Sequence, residues 1–127
     1  MTNLLIGGAY QGKRALAAHL FAVPCWADGA DCTPDTLLHA DGVNRLHLLV
    51  RRRLEAGQGT DGLLEVLLGK TVVCDEIGCG IVPLDPMDRA WREATGRLLC
   101  DLAARADRVI RVTGGLPQAI KGEAVWN

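Results

Sequence analysis

A chain of 127 residues, 49% of them apolar and without repeats or low-complexity runs, has the make-up of one globular domain spanning residues 1–127 and is too short for a second. Fourteen Lys and Arg against fifteen Asp and Glu leave a formal net charge of -1, which excludes a broad basic face for nucleic acid or anionic membrane, so any phosphate binding is local. Five cysteines without a C-x-x-C spacing exclude a disulfide framework and a thiolate zinc site, and are expected as reduced, mostly buried thiols in a cytoplasmic protein.

Asn3 to Ile6 is an apolar run too short for a signal peptide or a membrane span, and it reads as a buried strand entering Gly7-Gly8. Lys13 to Ala22 follows as an Ala/Leu-rich helix closed by Pro24. Val23 to Asp35, with two prolines and three aspartates, predicts an irregular surface connection, the least ordered of the ordinary segments. Thr36 to Ala40 reads as a second buried strand, turning at Asp41-Gly42 into a helix whose inward stripe is Leu46, Leu49, Val50 and Leu54. Arg51-Arg52-Arg53 falls in the last turns of that helix and is expected to be solvated there.

A short helix from Asp61 to Leu68 and a third strand from Thr71 to Cys74 come next, with Asp75-Glu76 at the strand's tip. Asp85-Pro86 supplies a cap and a first-turn proline for a long helix running to about Ala106, carried by Met87, Ala90, Trp91, Ala94, Leu98 and Leu102. Arg108 to Thr113 is the last expected strand, ended by Gly114-Gly115, and the tail from Glu123 is expected to fray. Strands alternating with helices predict an α/β three-layer sandwich of the P-loop NTPase type, with a small, mostly parallel sheet of four or five strands and ligands bound beyond the strands' C-terminal tips.

Gly7-Gly8-Ala9-Tyr10-Gln11-Gly12-Lys13 fits G-x-x-x-x-G-K between a strand and a helix. Glycines let successive backbone N–H groups converge on phosphate oxygens, the following helix adds its positive end, and Lys13 reaches the outer phosphates as the catalytic cation. The bland alternative is a Gly-rich turn that binds nothing. Arg14 stands where a Ser or Thr usually ligates magnesium, and a guanidinium cannot ligate a cation. Arg14 either forks onto a phosphate or faces solvent. A bound Mg2+ would then depend on carboxylates at strand ends, with Asp41 and Glu76 as the candidates and Asp75 read as a cap or turn residue. His19, His39 and His47 share no spacing that marks a metal site or a paired nucleophile; His39 lies nearest an expected strand tip, and a structural histidine is the competing reading.

The loop resembles the G-G-A-R-S-G-K-S of the bifunctional adenosylcobinamide kinase and adenosylcobinamide-phosphate guanylyltransferase family, with the final Ser lost. Asp75-Glu76-Ile77-Gly78-Cys79-Gly80-Ile81-Val82-Pro83 is similar to the family's N-E-V-G-x-G-I-V-P and is the more specific block. A weaker echo runs from Ala103 to Asp107 and through Gly114 to the Ile120-Lys121-Gly122 ending. The resemblance implies a GTP or ATP site, a corrinoid substrate (adenosylcobinamide), a nucleotide contact at Asp41, and a homo-oligomer, a trimer by the family's pattern. It also implies a guanylyl-accepting histidine in a middle segment that this chain is too short to contain. The leading expectation is therefore a kinase of cobalamin biosynthesis, with guanylyl transfer as the family's second activity. A non-catalytic nucleotide-binding relative acting in regulation or assembly is the alternative, and a kinase for another small alcohol is a third.

Overall fold

The computed structural model describes residues 1–9, 11–77 and 85–123. Six strands, β1 (Asn3–Gly7), β2 (Trp26–Asp28), β3 (Gly42–Asn44), β4 (Thr71–Asp75), β5 (Arg108–Thr113) and β6 (Leu116–Lys121), form one sheet in the order β2-β3-β4-β1-β5-β6. All neighbours are parallel except β5 and β6. The helices are α1 (Lys13–Leu20), α2 (Pro34–His39), α3 (Leu46–Glu55), α4 (Leu63–Leu67) and α5 (Pro86–Arg105). This is the expected P-loop NTPase-like α/β sandwich, with one or two strands more than the sequence suggested.

Alternation along the central strands builds the layers. Leu4, Val72, Cys74 and Val109 face a core shared with α2, α3, α4 and α5, whereas Leu5, Val73, Ile110 and Val112 face Ala17 of α1. Each fully buried Leu or Ile here contributes about 2 kcal/mol of transfer free energy. β1 and β4 run in register from Asn3↔Thr71 to Gly7↔Asp75, so the strand ends that carry Gly7 and Asp75 meet at the C-terminal edge of the sheet.

Two expectations fail in the same stretch. Thr36 to Ala40 is not a strand but lies in and just after α2, because Thr33 and Thr36 make a reciprocal capping box and Pro34 sits at the first helical position. Leu37 is buried and Leu38 exposed, the pattern of a helix lying on one face rather than of a strand covered on both. Val23 to Asp35, expected to be irregular, holds β2. Its exit is pinned by Cys32 N–H donating to Asp28 O and Ala30 N–H to Asp28 Oδ1.

The added edge strand β6 arises from Gly114-Gly115, whose φ values of 57° and 78° suit a two-residue hairpin turn that L-residues rarely adopt. Nor is the arginine run a solvated terminus. Arg51 pairs with Asp88 and lies over Trp91, Arg52 Nη1 donates to the carbonyls of Gly29 and Cys32, and Arg53 donates to those of Gly59 and Asp61. Cys32 and Cys74 are buried, but Cys25 and Cys100 are exposed, so burial of the thiols is only half as expected among the described residues. Cys79 and the tail beyond Glu123 lie outside those residues.

Candidate functional site

β1 brings the chain to the C-terminal edge of the sheet at Gly7, where side-chain atoms have no room: a Cβ there would lie 2.4 Å from Val112 O. Gly12 turns the loop into α1 with φ 81°, a left-handed conformation suited to glycine, and no side chain caps the helix. Three of the loop's carbonyls are bonded within the protein. Gly7 O accepts from Glu76 N–H at 2.8 Å, Gly8 O from Lys13 Nζ at 2.6 Å, and Gln11 O from Gly115 N–H at 3.0 Å. Among the described residues, the backbone N–H groups of Gly8, Ala9 and Gly12 donate to no protein carbonyl. Carbonyls spent inward and amides left over, at the start of a helix, make a concavity suited to an anion. Tyr10 lies outside the described residues.

Lys13 is buried at 6% exposure, yet its ammonium is paired, 2.7 Å from Asp75 Oδ1. Asp75, read from sequence as a cap or turn residue, is thus the loop's direct partner. His47 holds it from the far side. Asp75 N–H donates to His47 Nδ1 at 3.2 Å, which leaves the ring proton on Nε2, 3.4 Å from Asp75 Oδ2. Burial pushes the His47 imidazole below its ordinary value of 6.5, outweighing the opposite pull of Asp75, so the ring is neutral at pH 7. Trp91 Nε1 donates to His47 O at 2.7 Å and ties this end of α3 to α5. Burial also pushes the neighbouring Cys74 thiol up to about 12, which removes it as a thiolate nucleophile.

A cavity of about 440 Å³ opens beside the loop, lined by Ala9, Gln11, Gly12, Lys13 and Arg14 on one side and by Asn44, Arg45, His47 and Asp75 among those on the other. Arg14 is exposed, in keeping with one of its two expected roles, and its Cζ lies 5.2 Å from the centre of the Trp26 ring. Arg45 has φ 54°, the one left-handed non-glycine among the described residues, and its guanidinium is bonded to Asp28, Nε to Oδ1 at 2.9 Å. That bond holds the Asp28 carboxyl below its ordinary range. Nothing in the sequence reading singled out Asn44, Arg45, His47 or Trp26; only Asp75, ending an apolar run, carried a visible signal.

The two other carboxylates go elsewhere. Because the strand expected before it is helix α2, Asp41 precedes β3 instead of following a strand, and its carbonyl accepts from Thr71 N–H at the start of β4. That is the N-terminal edge, a strand length of about 13 Å from the loop. Glu76 is at the correct edge but is paired with Arg111, 2.9 Å away on β5. His39 is exposed on α2, bonded to Asp35 O, and does not line the cavity.

Magnesium binding needs oxygen ligands converging on one point. Here the hydroxyl is missing, Asp41 is at the opposite edge and Glu76 is engaged by Arg111, which leaves Asp75 as the one carboxylate lining the cavity, so the described residues do not fit the ion. Among the described residues no three His, Cys, Asp or Glu side chains gather as a metal site, and no helix is long and apolar enough to cross a membrane.

Comparison with known proteins places the second half of the chain. Residues 51–120 match the family model described as cobinamide kinase / cobinamide phosphate guanyltransferase. Over 74 residues the chain is 36% identical to the bifunctional adenosylcobalamin biosynthesis protein CobP of Pseudomonas aeruginosa, a stretch covering 52% of this chain and 43% of that protein. The chain thus spans less than half the length of this curated relative. The family match begins within α3 and runs into β6, so the loop before α1 lies outside it and rests on its own geometry.

Proposed function

Because the chain belongs to the cobinamide kinase / cobinamide phosphate guanyltransferase family, we propose that Gly7 to Lys13 seats the triphosphate of GTP or ATP and that the terminal phosphoryl group passes to the hydroxyl of a corrinoid, adenosylcobinamide. The single observation that carries this reading is the loop in which the Gly7, Gly8 and Gln11 carbonyls are occupied while the Gly8, Ala9 and Gly12 amides are not, closed by the buried ammonium of Lys13.

On binding, Lys13 exchanges Gly8 O and Asp75 for phosphate oxygens, where it neutralises charge that develops as the phosphoryl group moves. Asp75, released from Lys13 but still held by His47, is placed to take the proton of the attacking hydroxyl as the new O–P bond forms and the bond to the β-phosphate breaks. Guanylyl transfer to a histidine has weaker support. His47 is the one histidine lining the cavity among the described residues, and both its ring nitrogens face Asp75. The outer strand β6, with Leu116 at 73% and Ile120 at 52% exposure, supports assembly with further copies of the chain.

Incubation with γ-labelled GTP or ATP and adenosylcobinamide is expected to yield labelled adenosylcobinamide phosphate. Triphosphate binding without any label transfer would favour the non-catalytic relative, a reading that Arg14 in the metal-ligand position motivates.

A further inference from the structure

We infer that the triphosphate seat works without a divalent cation, the charge that a metal would carry being supplied by the guanidinium groups of Arg14 and Arg45. The inference rests on the triphosphate reading above and concerns what completes that site.

The cavity beside the loop is lined by three cationic side chains, Lys13, Arg14 and Arg45, against one carboxylate, Asp75. A dication entering this wall meets repulsion and finds one carboxylate, Asp75, among the described residues. A polyphosphate meets the reverse: unspent amides, the Arg14 guanidinium, whose planar fork matches phosphate oxygens two at a time, and the Arg45 cation, whose fork is held by Asp28 and which acts through its charge.

Both arginines are prepositioned by β2. Trp26, where the strand begins, carries the Arg14 guanidinium on its ring, and Asp28, where it ends, holds the Arg45 fork. Gly29 fits against the Arg45 backbone, where a Cβ would lie 2.0 Å from Arg45 O, so the left-handed turn that delivers Arg45 to the cavity is enforced by packing. A stack on one partly buried ring is a weaker hold than a charge-assisted bond to phosphate, so Arg14 can exchange Trp26 for the ligand while staying within the same cavity.

The test titrates the whole chain with GTP and with ATP by calorimetry, in EDTA and again in excess magnesium. Dissociation constants that agree within about threefold, or that are weaker with magnesium, are expected; binding tightened beyond about threefold by magnesium would overturn the inference. The Arg14→Ser variant, checked for an unchanged melt, is expected to bind about tenfold more weakly in EDTA and to gain a magnesium response. An Arg14→Ser variant as tight as the parent in EDTA would contradict the role given to the guanidinium. Absence of binding to either nucleotide in both conditions would instead refute the triphosphate reading beneath it, so the two failures are distinguishable.

Discussion

Alanine in place of Lys13 is expected to weaken triphosphate binding about a hundredfold, a loss of ~3 kcal/mol. The ammonium is almost wholly buried and already desolvated, so contact with phosphate exchanges one set of oxygen partners for another. Its removal also leaves Gly8 O and Asp75 without their present partner, at a further cost of about 1–2 kcal/mol to the fold. Stability and affinity therefore have to be read separately: calorimetric titration of the variant, at a temperature where its melt shows it folded, checks the binding loss alone. Unchanged affinity would mean that the phosphates do not lie beside this residue.

Gly29→Ala is expected to cost about 3 kcal/mol of stability, at the upper end for inserting one methyl group into packed surroundings. Its backbone is not left-handed, so the effect is steric. The added carbon would lie 2.0 Å from Arg45 O and 2.9 Å from both Arg45 C and Leu49 N, which are main-chain atoms with no rotamer to change. The first turn of α3 must shift, and Arg45 and His47 shift with it. Urea unfolding of Gly29→Ala beside Gly59→Ala, whose added carbon meets nothing within 4 Å, checks this. The control is expected to stay within about 0.5 kcal/mol of the parent.

Elements with a local cause were legible in the sequence. The apolar runs of β1, β4 and β5 and the Asp85-Pro86 start of α5 announce themselves within a few residues, and so does the glycine spacing of the loop. The stretch from Val23 to Ala40 was not, because its order comes from afar. Three-residue β2 exists by pairing with β3, and its exit is held by Arg45 and Arg52, seventeen and more residues away. A strand at Thr36 to Ala40 would put Asp41 at the wrong edge, and the capping box that makes the stretch a helix has Thr36 where the usual signature has Glu or Gln.

The same limit applies to the cavity. Spacing exposes one wall, Gly7 to Arg14, since consecutive residues build it. The facing wall of Asn44, Arg45 and His47 depends on β3 ending beside β4 and on a left-handed arginine that no propensity announces. β6 is not legible because Leu116-Pro117-Gln118-Ala119 lacks the alternation of a half-buried strand, and it is ordered by pairing with β5 and by Lys121 donating to the Ala103 and Ala104 carbonyls of α5.

Titration of the isotope-labelled chain with GTP, followed through its backbone amide resonances, addresses the central claim most directly. The account predicts saturable shifts concentrated at Gly8, Ala9, Gly12 and Lys13, with smaller ones at Asn44 and Arg45. Shifts confined to the apolar cavity among α2, α3 and α4, around Leu37, Leu49 and Leu63, or no shift at the loop at saturating nucleotide, would contradict it.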